Sequence, residues 1–392
     1  MAKIDKAVFE LLTQLENAGF HAYVVGGAVR DLLLDRNVND YDVATNATPD
    51  DVKRIFTRII PFGLEHGTVI VRKNKLSIEV TTFRKKDEDG NFVFADTIEE
   101  DLAFRDFTIN ALAMDKEGNI VDLFGGKEDL EKKVIRAVLD PYDRFMEDPL
   151  RMLRAVRFSS QLGFTIEETT LNAISELKTE INRVAIERLK DEMTKLIKGD
   201  HFPSAKRYVI ETQLLNELPL FDEHEAYATI LNKAEKPFVS FAQLIALFVH
   251  YEPGISVTKW IKSWSGSNKE KAEALQLLKA VNAYGKDGLT NFLVYQLDES
   301  LDRPFFRLIE TIYKTSLSEK EINEIRKRLP IRSRSELALN GHALLEWFPE
   351  RKPGRWMQEL IEQAEYEVVM GRLENEEQQI KEWILCHPRA TN

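Results

Sequence analysis

Apolar positions along this chain follow two different periods, and the change from one to the other falls near residue 125. Ile4 to Asn17 carries apolar residues at helical spacing and reads as an amphipathic helix. The apolar run Ala22 to Val25 reads as a strand ending at the Gly26-Gly27 step, and a helix is expected from about Val29 to Leu34. Tyr41-Asp42-Val43-Ala44 forms a short strand pattern and Leu76 to Phe83 a longer one, with strand-like segments continuing to about Ala113. After Phe124-Gly125-Gly126, read as a hinge, strand signals nearly vanish. From Arg144 onward the period is helical, interrupted at Gly199-Asp200, Pro203, Pro219, Pro237, Gly254, Pro304, Pro330 and Pro353. These patterns predict an α+β chain in which a small α/β head is followed by helical segments. No internal repeat or low-complexity tract interrupts it.

Length and charge refine this picture. At 392 residues the chain exceeds one comfortable core, and roughly two to four domains are expected from about 100 to 200 residues each. No apolar run approaches the roughly 20 residues of a membrane span. The longest candidate, Phe238 to His250, is broken by Ser240 and Gln243. The start, Met1-Ala2-Lys3-Ile4-Asp5-Lys6, lacks the apolar core of a secretory signal, and the single cysteine, Cys386, fits a reducing cytoplasm. A formal net charge of -11 argues at first against a nucleic-acid partner, but phosphate binding depends on local patches. Arg151, Arg154 and Arg157 recur every three residues on a helical pattern. Lys206-Arg207, Arg326-Lys327-Arg328 and Arg332 with Arg334 form later clusters that read equally well as solvated helix faces.

Candidate chemistry begins at the glycine step. A Gly-Gly pair between a strand and a helix lets backbone N–H groups approach a phosphate, and Asp40-Tyr41-Asp42 follows nine residues after Asp31. Two residues apart on a strand, Asp40 and Asp42 point to one face and offer hard oxygen ligands for Mg²⁺. Glu79, between Ile78 and Val80, becomes a third carboxylate if its strand pairs beside the first. Taken singly, each signal has an ordinary counterpart: a strand-to-helix turn, a solvated or capping Asp, a solvent-facing strand Glu. Further along, Glu147-Asp148-Pro149-Leu150-Arg151 places Asp148 near a helix start and Arg151 three residues on, an acceptor and a donor fork on one face. Asp148 can accept from the exocyclic amino group of cytosine or adenine while Arg151 donates to the ring. On the residues alone, a helix cap with an i,i+3 ion pair explains the same pattern.

Six segments, VVGGAVRDLLL, DYDVAT, IEVTTFR, FRDFTINALAMD, DLFGGKEDL and EDPLRMLRAVRF, resemble in order the motif series of class II tRNA nucleotidyltransferases, the CCA-adding enzymes and their bacterial poly(A) polymerase relatives. The likeness is dense over the first half and thinner beyond, through Leu339-Asn340-Gly341-His342 and Pro353-Gly354-Arg355-Trp356. It implies a nucleotidyltransferase-type head with a mixed sheet (1–138), a nucleobase-recognising neck (139–199), and a helical body (200–328) and tail (329–392) that bind tRNA. The implied reaction is template-independent addition of C and A from CTP and ATP to the tRNA 3′ end, dependent on Mg²⁺ at a two-metal site, in the cytoplasm, with no membrane or protein partner required. The resemblance makes Asp40, Asp42 and Glu79 catalytic, with Asp40 and Asp42 as metal ligands. It makes Gly26, Gly27, Arg30, Arg105, Asp148, Arg151, Arg154 and Arg157 nucleotide-binding. Asp106 and Asn110 are expected as supports.

Two departures stand out. Phe104 occupies a place where many members carry a second basic residue, implying weaker phosphate contact. The segment from Lys85 to Asp96 is several residues shorter than in members that add the complete CCA, and resembles enzymes that stop after two cytidines; a shorter hairpin keeping the same role is the other reading. A catalytically silent RNA-binding protein with a relic head is the rival class, but such a relic is expected to lose one of Asp40, Asp42, Asp148 or Arg151. A poly(A) polymerase is the rival within the enzyme class. His250-Tyr251 is not the His-Asp pair of metal-dependent phosphohydrolases, and His66, His250 and His342 are expected to be packed or solvated.

Overall fold

The computed structural model describes residues 4–38, 40–61, 67–74, 76–87, 92–222 and 226–386. His66 and residues 88–91 of the short segment after Arg84 lie outside them. The chain forms two compact units, Met1–Glu223 and His224–Asn392.

In the first unit, helix α1 (Lys6–Asn17) starts where the Asp5 side chain accepts from the Ala7 N–H at 2.7 Å, and it buries Val8, Leu11, Leu12 and Leu15 along one stripe. The strands are β1 (Ala22–Val25), β2 (Tyr41–Thr45), β3 (Ile59–Pro61), β4 (Thr68–Lys73), β5 (Leu76–Thr82), β6 (Arg84–Lys86), β7 (Phe92–Phe94), β8 (Leu112–Met114) and β9 (Ile120–Asp122), interleaved with α2 (Gly27–Leu33), α3 (Pro49–Ile55) and α4 (Ile98–Ala103). Seven of them make one sheet in the order β3-β4-β5-β2-β1-β8-β9. It is mixed: β2 and β5 run parallel and the other pairs antiparallel. One face, carrying Val25, Ala44 and Ala113, is covered by Phe83, Ala95 and, from α4, Ile98 and Leu102. β6 and β7 form a separate hairpin, so the described part of the short segment after Arg84 is an ordinary antiparallel ladder.

The segment read as a hinge is a packed turn. Gly125 takes φ +73° before α5 (Gly126–Lys132), and a Cβ on Gly126 would stand 2.3 Å from the Thr108 carbonyl oxygen. Strand structure also persists beyond it, because β10 (Val134–Ile135) pairs in parallel with β11 (Thr165–Ile166). Between them lie α6 (Pro141–Glu147) and α7 (Leu150–Leu162); α8 (Glu168–Leu177), α9 (Ile186–Lys198) and α10 (Phe202–Glu211) complete the unit. Pro203 stands in the first turn of α10 and starts the helix rather than breaking it.

The second unit is helical: α11 (Ala226–Asn232), α12 (Phe241–Tyr251), α13 (Val257–Ser263), α14 (Asn268–Asp287), α15 (Asn291–Gln296), α16 (Asp302–Tyr313), α17 (Glu319–Arg328), α18 (Gly341–Trp347), α19 (Arg355–Val369) and α20 (Glu377–Leu385). The apolar run read around residue 245 is α12, buried from Phe241 to Val249, with Phe248 stacked on Trp260. No described helix is long and apolar enough to cross a membrane. Asn340 caps α18, accepting from the N–H groups of His342 and Ala343, and Trp356 donates to the Lys352 carbonyl. His250 is hydrogen-bonded to Asn282, while His342 is exposed.

Candidate active site

A cleft of about 580 Å³ in the first unit is lined by Gly26, Gly27, Arg30, Asp40, Asp42, Phe104, Arg105, Asp106, Asn110, Asp148, Arg151, Arg154, Arg157, Phe158 and Lys195. Of the residues expected to be catalytic, metal-binding or nucleotide-binding, all but Glu79 are in that lining. Parallel pairing of β2 with β5 sets Glu79 directly beside Asp42, so the two share a sheet face with Val25 and Ala44, but Glu79 stays outside the cleft. Among the described residues, no three His, Cys, Asp or Glu side chains are grouped as a ready metal cage.

At this end of the cleft the electrostatics are unbalanced. Burial, with Glu79 and Asp40 nearby, pushes the Asp42 carboxyl up to about 6, although the Arg105 guanidinium opposes the shift. Among the described residues neither Asp40 nor Asp42 receives a side-chain hydrogen bond. Arg105 itself donates through Nε and Nη2 to the Asp101 carboxylate, at 3.2 and 2.8 Å. Gly26, at φ +68°, makes room for it: a Cβ there would lie 3.1 Å from Arg105 Nη1. The Gly26 N–H donates to the Leu112 carbonyl at 3.1 Å, so the glycine step contributes a close backbone approach, and the amides left for an anion are those of the first turn of α2.

The middle of the cleft is an arginine cluster built around one ring. Arg157 lies over Phe158 at 3.9 Å, with Arg30 at 5.3 Å and Arg154 at 5.5 Å from the same centroid. Arg30 donates to Asn110 at 2.7 Å, and Asn110 donates to Asp106 at 3.1 Å. Burial would raise the Asp106 carboxyl, but Arg154, donating twice to Oδ2 at 2.8 and 2.6 Å, and the Asn110 amide hold it down at about 2. Asp106 and Asn110 are thus the braces the sequence suggested. Burial lowers Arg157 to about 10, against the buried Glu192 carboxylate 2.5 Å from its Nε; it stays charged at neutral pH.

At the far end the local geometry departs from the i,i+3 expectation. A residue before proline avoids the helical region. Asp148 accordingly is extended, at φ −144° and ψ 96°, and closes α6, while Pro149 caps α7. Asp148 therefore does not pair with Arg151. Its Oδ1 accepts from the Leu150 N–H at 3.2 Å and its Oδ2 from Arg188 Nη2 of α9 at 2.8 Å. Arg151 instead donates through Nη1 to Glu147 (3.0 Å) and to the Arg144 carbonyl (3.3 Å), and through Nη2 to the Phe104 carbonyl (3.0 Å). Among the described residues its Nε–H and one Nη2 hydrogen find no acceptor. Phe104 serves through its carbonyl and through its ring, 5.4 Å from the Arg144 guanidinium.

The sequence reading missed Phe158, Lys195 and Arg188. Phe158 lies one residue past Arg157 and reads as core, and the position of Lys195 three residues after the buried Glu192 on α9 is the only local signal that it faces the cleft.

Three family models match the chain: the Poly A polymerase head domain over residues 22–136, the RNA- and SrmB-binding site of polymerase A over 163–225, and tRNA nucleotidyltransferase domain 2 over 239–384. The CCA-adding enzyme of Oceanobacillus iheyensis is 45% identical over 392 residues, covering 97% of each chain. That of Bacillus mycoides is 37% identical, covering 97% of this chain and 98% of its own. The crystal structure of the Bacillus stearothermophilus CCA-adding enzyme in complex with CTP matches with a TM-score of 0.89 and 34% identity, over 97% of this chain and 96% of that one. The Thermotoga maritima CCA-adding enzyme complexed with tRNA-CCA shares the fold, with a TM-score of 0.68 at 22% identity, over 98% of this chain and 96% of that one.

Proposed function

This chain belongs to the family of CCA-adding tRNA nucleotidyltransferases, and on that premise we propose that the cleft adds C and A nucleotides from CTP and ATP to the 3′ end of tRNA, without a nucleic-acid template and with release of pyrophosphate. The observation that carries the reading is the meeting in one cleft of a carboxylate end, an arginine middle and an acceptor-donor end. Oxygen of the tRNA 3′-hydroxyl attacks the α-phosphorus, its proton is lost, and the bond from that phosphorus to the β-phosphate bridging oxygen breaks.

Asp40 and Asp42 would hold Mg²⁺, as one ion or two, with Glu79 adding negative charge beside them. The donor set fits: Mg²⁺ is bound through one or two carboxylates plus water and substrate phosphates, and the raised Asp42 carboxyl marks negative charge in want of a cation. When bound, the metal lowers the pKa of the attacking hydroxyl and stabilises the departing pyrophosphate. The amides following Gly26 and Gly27 and the side chains of Arg30, Arg105, Arg154 and Arg157 orient the triphosphate. Asp148 accepts from the exocyclic amino group shared by cytosine and adenine, and the two remaining donors of Arg151 meet the ring. Uracil and guanine present a carbonyl oxygen there, which repels the carboxylate.

We read the chain as head (1–138), neck (139–199), body (200–328) and tail (329–392), with body and tail gripping tRNA, acting in the cytoplasm where an exposed free thiol such as Cys386 stays reduced. Incubation with tRNA lacking its CCA, with CTP alone, ATP alone and both, followed by sequencing of the product ends, tests the reading. Complete CCA ends with both nucleotides support it. Homopolymeric A tails, or ends stopping at CC, would replace it by the poly(A) or the CC-adding alternative.

A further inference from the structure

The Asp148 carboxylate is held by the helix it precedes at one point only, and the rest of its hold comes from α9. Of its roughly four lone-pair positions, Oδ1 takes the Leu150 N–H at 3.2 Å and Arg188 Nη1 at 3.4 Å, and Oδ2 takes Arg188 Nη2 at 2.8 Å. Among the described residues a single acceptor position, on Oδ2, is left. Arg188 lies forty residues away on α9, is half exposed, and does not line the cleft.

We infer that Arg188 is a positioning residue for base selection: its guanidinium fork fixes the Asp148 carboxylate so that one lone pair faces the amino group of cytosine or adenine. The inference rests on the reading of Asp148 as the base acceptor. A two-point clamp fixes the plane of a carboxylate, which a single N–H to Oδ1 does not. Released from the clamp, the carboxylate turns about its χ2 torsion, which is broad, and the rejection of a carbonyl oxygen at this point weakens with it. The companion group is set independently, since Arg151 is held by Glu147 and by the Arg144 and Phe104 carbonyls. Acceptor and donors of the base-reading pair therefore hang from different elements. Removing the Arg188 fork should move the acceptor and leave the donors in place.

The test compares single-nucleotide incorporation of CTP and UTP on tRNA lacking its CCA, by wild type, Arg188→Ala, Arg188→Lys, Asp148→Ala and the double variant, with thermal melting of each. For Arg188→Ala, the ratio of kcat/KM for CTP to that for UTP should fall about tenfold, roughly what one misaligned hydrogen bond is worth, with the melting point little changed because the pair is exposed. Lysine, which keeps the charge but not the fork, should restore only part of the ratio. The double variant should be no less selective than Asp148→Ala. Equal losses for CTP and UTP in Arg188→Ala, or an unchanged ratio, would overturn the role of Arg188 while leaving that of Asp148 standing. If Asp148→Ala itself keeps full selectivity, the base-acceptor reading fails first.

Discussion

The two ends of the cleft are built on opposite electrostatic plans. At the sheet end, Asp42 is pushed up to about 6 by burial and by Glu79 and Asp40, against Arg105, and its carboxylate has no hydrogen-bond donor among the described residues. Along the rest of the cleft, Asp106, in the loop after α4, is held at about 2 by Arg154 and Asn110 despite its burial, and Asp148, Arg151, Arg154 and Arg157 each have a partner in place. One end carries charge that something from outside must balance. The other is balanced in advance, which suits the proposed role of receiving a base. Folding can preassemble a recognition surface, because its charges pair with one another; a cation site keeps its deficit until the cation comes.

The contrast is broken most severely at the sheet end. Asp40→Ala and Asp42→Ala should each lower nucleotide addition by a thousandfold or more, about 4 kcal/mol of transition-state stabilisation, with tRNA binding in a gel-shift assay nearly intact. More than a tenth of wild-type activity in both would remove the metal assignment. A stability measurement sharpens the same point. The Asp42 carboxyl is raised above its unfolded value, so without metal the stability it contributes below pH 3.8 is lost as the pH rises toward about 6; Asp42→Asn, although inactive, should melt at a higher temperature than wild type at pH 7 in EDTA.

Next in size is the opposite response at Asp106. Its carboxyl is depressed, so it stabilises the fold at neutral pH and loses that contribution only as the pH falls toward 2. Asp106→Ala leaves the Arg154 fork without its main partner and should cost about 3–5 kcal/mol, read by urea denaturation. A drop below 1 kcal/mol would mean that the helical side is not preassembled by charge pairing. Asp148→Ala should relax selection against UTP and GTP by about ten- to a hundredfold, more than it weakens CTP binding, whereas Arg151→Ala should weaken CTP and ATP alike; steady-state kinetics with all four nucleotides separates the two.

The smallest effect concerns pH. Cation binding requires the ionised Asp42, so the Mg²⁺ concentration giving half-maximal activity should fall as pH rises from 5 to 7, by about tenfold for one proton displaced across one pH unit, and then level off. A flat dependence would separate Asp42 from the metal.

The elements around Asp40, Asp42 and Glu79 were legible because their evidence is local. The run Ala22 to Val25 is β1 residue for residue, and alternation around Glu79 marked β5. That β5 lies beside β2 was conditional on the sequence, since pairing is not written in either strand. The partner of Asp148 was not legible. An i,i+3 ion pair was the natural reading, yet Pro149 keeps Asp148 out of the helix that Arg151 belongs to, and the actual partner comes from α9 only through the packing of α7 on α9. The hinge at Gly125-Gly126 failed for a related reason: glycine marks freedom in the unfolded chain, but at 126 it answers to the Thr108 carbonyl pressed against it. Lys195 looks like any solvated lysine until the fold turns α9 toward the cleft.

The two-residue ladder between β10 and β11 gives the segment that carries Asp148 and Arg151 a closed outline. Residues 136 to 164, with Asp148 near the midpoint, leave and re-enter the fold at one clasp, so the segment is a ring of chain and not an arm. Closed in this way and tied again to Ala103, Phe104 and Asp106, the segment cannot trail away, and a protease nick near Pro149 would leave both stubs anchored beside each other.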